Sequence, residues 1–133
     1  MKTISTPSAP AAIGPYSQGM VSNGFLFTSG QIPLVPEDMS FIDGTIEEQT
    51  KRVLENLDAV LTAAGASWNR VVKTTVFMVD LADFGKMNTV YGQHLGEARP
   101  ARSTVQVAAL PRGAKVEIEL IAEVSEKTGE TCR

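Results

Sequence analysis

Between Pro100 and Glu119 the chain offers an arginine, Arg102, and two carboxylates, Glu117 and Glu119, on segments that alternate polar and apolar residues. Alternation from Arg102 to Val107 puts Arg102, Thr104 and Gln106 on one side of a strand and Ser103, Val105 and Val107 on the other, because successive strand side chains point oppositely. The pattern recurs after a turn through Leu110 to Ala114, with Val116, Ile118 and Leu120 opposed to Glu117 and Glu119. The segment therefore reads as two strands joined by a turn. If both apolar sides cover the same core, Arg102 and Glu117 share the opposite face. A guanidinium and a carboxylate brought together in this way are either an ion pair or two halves of a site for a small anion.

Little else in the chain offers reactive chemistry. The single histidine, His94, and the single cysteine, Cys132, are far apart in sequence, so there is no zinc-ligand spacing and no good Cys-His nucleophile arrangement. His94 is expected as a surface residue near the negative end of a helix, and Cys132 as an exposed tail thiol. Catalysis by this chain would run on Arg, Glu, Tyr, hydroxyls and backbone amides.

The elements that must position Arg102 and Glu117 follow from composition and pattern. With 133 residues and 43% hydrophobic content the chain is the size of one domain, expected to span 1–133. A net charge of -3 without any run of consecutive Lys or Arg argues against a broad nucleic-acid footprint. The unpaired cysteine and the lack of an apolar leader or membrane segment predict a cytoplasmic protein. Pro7, Pro10, Gly14 and Pro15 set a bent, extended approach, after which Tyr16–Val21 and Phe25–Ser29 flank Asn23-Gly24 as a β-hairpin. Gly30, closing the second of these strands, is either a place where another backbone or a ligand comes close or a simple bend. Residues 32–44 read as a loop.

Thr45-Ile46-Glu47-Glu48 has the form of a capping box, and Ile46, Val53, Leu57, Val60, Leu61 and Ala64 continue as one apolar stripe up to Gly65. The β-branched run from Arg70 to Val79 predicts a central strand. Asp80 or Asp83 can cap a second helix carrying Phe84, Met87, Tyr91 and Leu95 on one face. The whole is an α+β layer with two helices on one face of a sheet. Arg102, Thr104, Gln106, Glu117 and Glu119 are then expected on the uncovered face, where burial within an oligomer would make a polar, anion-binding cleft.

Four ordered blocks give the chain a family likeness: Ile13-Gly14-Pro15-Tyr16-Ser17-Gln18, Thr28-Ser29-Gly30-Gln31-Ile32-Pro33, Val72-Lys73-Thr74-Thr75-Val76-Phe77, and Pro100-Ala101-Arg102-Ser103 followed by Val116-Glu117-Ile118-Glu119. Over nearly its whole length the chain resembles the Rid proteins, in particular the RidA group of reactive imine and enamine deaminases. The resemblance implies a chorismate-mutase-like fold with a mixed β-sheet, a homotrimer with ligand clefts between subunits, and no cofactor. It also implies site roles: Arg102 for the substrate carboxylate, Gly30 and Thr104 as amide donors, Tyr16 lining the cleft, and Glu117 orienting water. Many relatives have cysteine where this chain has Thr104, a change that keeps the backbone donor.

The implied substrates are 2-aminoacrylate and 2-aminocrotonate, released by pyridoxal-phosphate dehydratases, with their tautomers 2-iminopropanoate and 2-iminobutanoate. A guanidinium fork suits a small planar carboxylate. Two other classes remain open from the sequence: a regulator that binds 2-oxo acids without turnover, and an RNA-acting translation inhibitor or endoribonuclease, which the acidic balance and the lack of a histidine pair disfavour. Tyr16 as mere packing and Arg102 as a structural ion pair with Glu117 or Glu119 also stay open.

Overall fold

The computed structural model describes residues 1–124. The polar tail and Cys132 lie outside the described residues. Strands β1 (Lys2–Ile4), β2 (Gly19–Ser22) and β3 (Phe25–Thr28) precede helix α1 (Ile46–Ala63) and strand β4 (Val71–Met78). Helix α2 (Phe84–Leu95) and strands β5 (Ala101–Gln106) and β6 (Val116–Glu123) follow. The strands form one mixed six-stranded sheet in the order β1-β2-β3-β6-β4-β5.

Helix α1 begins where the capping box predicts. Thr45 Oγ1 accepts from the Glu48 N–H at 3.1 Å and Glu48 Oε1 accepts from the Thr45 N–H at 2.9 Å, an arrangement typically worth ~1 kcal/mol. The helix ends by a Schellman pattern, with Ala66 N–H donating to Leu61 O and Gly65 N–H to Thr62 O while Gly65 takes a φ of 77°. Between these ends Val53, Leu54, Leu57, Val60 and Leu61 are almost entirely buried against the sheet, each such side chain contributing roughly 1.5–3 kcal/mol. The same helix buries Gln49 and Asn56. Asn56 Nδ2 donates to Leu34 O and Ile32 O, and Gln49 Nε2 donates to Ile42 O, so the loop after Gly30 is fastened to α1.

Strand pairing differs from the sequence reading in one decisive respect. Strands β5 and β6 are not a hairpin: β4 lies between them, parallel to β5 and antiparallel to β6. The chain leaves β4, crosses through α2 and returns as β5 in the same direction, as a parallel neighbour requires. The register then sets the faces, since residues paired across strands point to the same side. Thr74 pairs with both Arg102 and Leu120, whereas Phe77 pairs with both Val105 and Glu117. Thr74 and Leu120 are buried and Thr74 Oγ1 shares a 2.7 Å hydrogen bond with Tyr91 of α2, so theirs is the helix-covered face.

Arg102 and Glu117 therefore lie on opposite faces. Arg102, Thr104 and Gln106 sit on the covered side, not on the uncovered one, and no ion pair joins Arg102 to Glu117 or Glu119. Ser103 and Val105 share the open side with Glu117, Glu119, Phe27 and Ile121. Both helices do cover one face, as expected.

Three smaller corrections follow. The first fifteen residues are not only an approach, because Lys2–Ile4 pairs with β2. Beyond it the arm is pinned by the buried Gln18, whose Nε2 donates to the carbonyls of Thr6, Ala9 and Pro10 and whose Oε1 accepts from the Thr6 N–H. The hairpin's first strand starts at Gly19 rather than Tyr16. His94 is not a free surface residue: its Nε2 lies 2.8 Å from Asp58 Oδ1, which also accepts from Trp68 Nε1 at 2.6 Å, joining α1 to α2.

Candidate active site

Tyr16, Gly30 and Glu117 meet in one cavity of about 520 Å³, closed on other sides by Ile13, Gln31 and Arg112. Three segments bring them together. The arm held by Gln18 carries Tyr16 to the rim, where its side chain is 54% exposed. Gly30 follows β3, and the residue after it is locked to β6 by reciprocal hydrogen bonds between Gln31 and Ile118 at 2.9 and 3.2 Å. Glu117, preceding Ile118 on β6, is thereby pressed against Gly30.

Any Cβ at position 30 would displace the Glu117 carboxylate from this place. A Cβ placed there would stand 2.8 Å from Glu117 Cδ and 3.0 Å from its Cγ, and closer still to Oε2. What comes close to Gly30 is the Glu117 side chain, not the other backbone or the ligand expected of a glycine there. The Gly30 N–H bonds to nothing among the described residues and so remains available as a donor.

Burial pushes the Glu117 carboxyl above its ordinary value, and the neighbouring Glu119 charge pushes it further in the same direction. The native state therefore holds this proton at a pH where the unfolded chain has released it. The stability contributed is full below the ordinary carboxylate value of 4.5 and is lost as pH rises through the raised value. Glu117→Gln should accordingly melt higher than the parent at neutral pH, with the difference closing below about pH 4.5. Thermal melts of both proteins from pH 4 to pH 8 check it; a Gln variant that melts lower at neutral pH would contradict the desolvated carboxylate.

Arg102 lies elsewhere. It lines a second cavity of about 430 Å³ together with Asn88, Tyr91, Arg99 and Pro100. Its Nη1 donates to Asn88 Oδ1 at 2.7 Å, and its guanidinium carbon stands 4.8 Å from the Tyr91 ring centre and 5.4 Å from that of Phe84. Such cation–π contacts hold the fork flat while leaving its other nitrogens available. Asn88, Phe84 and Tyr91 escaped the sequence reading as site residues. Their spacing carries a signal, because positions 84, 88 and 91 fall on one helix face.

Thr104 lines neither cavity. Since Val107 N–H donates to Met78 O, the amides of 103, 105 and 107 point toward β4 and those of 102, 104 and 106 point outward. Strand β5 ends the sheet. The Thr104 N–H is thus presented on an open edge, while its buried Oγ1 has no hydrogen-bond partner among the described residues.

The candidate residues are thus divided between two cavities, Glu117 with Gly30 and Tyr16 in one and Arg102 in the other. Among the described residues no group of three or more His, Cys, Asp or Glu side chains could hold a metal ion, and no helix is long and apolar enough to cross a membrane.

Comparison with known proteins identifies the family and the fold. The family model described as Endoribonuclease L-PSP matches residues 6–124. A RutC family protein of Synechocystis is 53% identical over 124 residues, covering 92% of this chain and 95% of the relative. The 2-iminobutanoate/2-iminopropanoate deaminase of Mus musculus is 49% identical over 121 residues, covering 91% and 90%. Among solved structures, the Rid family protein YyfA of Yersinia pestis superposes with a TM-score of 0.91 at 48% identity, covering 92% of this chain and 98% of that one.

Proposed function

We propose that this chain, which belongs to the Endoribonuclease L-PSP family together with the Rid proteins, hydrolyses small anionic imines to 2-oxo acids and ammonia. The substrates are 2-iminopropanoate and 2-iminobutanoate, formed by tautomerisation of the enamines that pyridoxal-phosphate dehydratases release. The working unit is a homotrimer in which the Arg102 half-site of one subunit faces the Glu117 half-site of the next.

The observation that carries this reading is the division of the site. A carboxylate-binding fork and a perturbed carboxyl lie on opposite faces of one sheet, each in an open cavity, so only juxtaposed copies put both on one small molecule. The open face carries Phe27 and Val105, each more than 40% exposed, apolar surface of the kind that subunit contact buries.

In that cleft the guanidinium of Arg102 takes the substrate carboxylate, and the outward Thr104 N–H and the Gly30 N–H complete its hydrogen bonds. The imine carbon is already electrophilic, so the remaining work is to place water and move protons. Glu117 removes a proton from water as the water oxygen bonds to the imine carbon and passes that proton to the nitrogen, giving a carbinolamine. Glu117 then takes the carbinolamine hydroxyl proton as the C=O bond forms and the C–N bond breaks, and delivers it to the departing nitrogen, leaving the 2-oxo acid and ammonia. A carboxyl raised toward working pH suits both halves of this exchange. Tyr16 lines the same cavity, and its hydroxyl is assigned to positioning the water.

The test is the rate of 2-oxobutanoate formation from imine generated by a threonine dehydratase, with and without the purified protein. Acceleration is expected. Binding of 2-oxobutanoate without acceleration would replace this reading with that of a non-catalytic regulator. Cleavage of RNA is not favoured by the site, since the one histidine is engaged by Asp58 and lines neither cavity.

A further inference from the structure

A second cation lies in the Arg102 cavity. Arg99 lines the same 430 Å³ space, and it is fixed there: its Nη1 donates to Gly96 O at 2.7 Å and to Ala98 O at 2.8 Å. The turn that supplies these carbonyls is set by Gly96, whose φ of 63° and ψ of −120° suit glycine. Arg99 Nε and Nη2 bond to nothing among the described residues.

No acid among the described residues lies within ion-pair distance of either guanidinium. Among the described residues the ion pairs are Arg52–Glu55 and His94–Asp58, so neither Arg99 nor Arg102 is paired. Asn88, which Arg102 does bond, is neutral. Like charges gathered in one cavity repel, and a ligand that meets both relieves the repulsion. A monoanion meets one of them. A molecule with two carboxylates gives each fork its own acceptor, and a cavity of this volume is in the range that accommodates small ligands.

We infer that the Arg99–Arg102 cavity selects dianionic imines, the imino acids with a second carboxylate, over the monoanionic ones. This rests on the hydrolysis proposed above and adds a substrate class to it. Arg102 holds the carboxylate next to the imine carbon, Arg99 holds the distal carboxylate, and hydrolysis proceeds by the same steps. Dehydration of a hydroxy amino acid with one carboxylate gives monoanions. The dianionic imines instead come from two-electron oxidation of the amine of an amino dicarboxylate by a flavin- or nicotinamide-dependent enzyme.

Calorimetric titration with 2-oxoglutarate and 2-oxobutanoate, on the parent, Arg99→Gln and Arg99→Lys, tests the selection through product-like ligands. The parent is expected to bind 2-oxoglutarate about tenfold more tightly, a modest figure because Arg99 is exposed to solvent screening. The ratio should fall to about one in Arg99→Gln and be partly kept in Arg99→Lys, which retains the charge. Equal affinities in the parent, a preference that survives Arg99→Gln, or binding of neither ligand would overturn the inference. Turnover of the imines that an amino-acid oxidase makes from glutamate and from 2-aminobutyrate separates the two readings. Hydrolysis of both without preference refutes charge selection alone, and hydrolysis of neither, with the binding preference intact, refutes the deaminase reading alone.

Discussion

Replacing Arg102 with alanine should abolish productive binding and turnover together. The guanidinium is held by Asn88 and by the faces of Tyr91 and Phe84, so its direction is fixed before a ligand arrives and little ordering remains to be done. Removing one side of a desolvated charge pair costs ~2–5 kcal/mol, which is roughly 30-fold to a few thousand-fold in kcat/KM. Arg102→Lys should recover only part of the loss, because an ammonium keeps the charge but not the planar fork. The substitution also removes packing from the α2 aromatics, so circular dichroism must accompany the kinetics. A folded Arg102→Ala protein that binds 2-oxobutanoate as tightly as the parent would place the anion site elsewhere.

Glu117→Gln should separate what Arg102→Ala loses together. The amide fills the same space beside Gly30, and the Arg102 cavity, proposed above to bind the carboxylate, is untouched. It cannot carry a proton between water and the leaving nitrogen, so imine hydrolysis should slow by ~10²-fold or more while 2-oxobutanoate affinity changes little. A kcat fall at constant product affinity, measured by calorimetry beside the turnover assay, is the expected signature. Normal turnover by this variant would remove Glu117 from the chemistry. The thermal melts of the same variant distinguish slow turnover from unfolding.

Local patterns in the sequence were legible where short-range physics decides them. The Thr45–Glu48 capping box, the α1 stripe, the Gly65 stop and the alternation within each strand all involve neighbours a few residues apart, and the structure has them. What failed was the step from strands to a sheet. Alternation states which residues of β5 share a side, but not which side of β6 it matches, because that depends on β4 inserting between them. The assumption that apolar means core also failed at an edge. Val105 is 41% exposed on the open face, whereas Arg102 lies over aromatic rings on the covered one.

The candidate site was legible to a corresponding extent. Gly30, Tyr16 and Glu117 do meet in one cavity, through a backbone bridge between Gln31 and Ile118 that no local pattern announces. Arg102 and Thr104 stand apart from them, on the other face of the sheet. Asn88 and Arg99 drew no notice in the sequence because their importance comes from the cavity they line with Arg102.

The most direct test of the account is complementation between two defective proteins. Arg102→Ala and Glu117→Gln subunits, each inactive as a homo-oligomer, are unfolded together at equal concentration, refolded and assayed for imine hydrolysis. If each site takes Arg102 from one subunit and Glu117 from its neighbour, random assembly of a cyclic oligomer leaves about a quarter of the sites with both residues intact. The account predicts about that fraction of the activity of the parent refolded alongside, and predicts none when the variants are mixed without unfolding and do not exchange. Mixed oligomers confirmed by native mass and still inactive would contradict a site shared between chains.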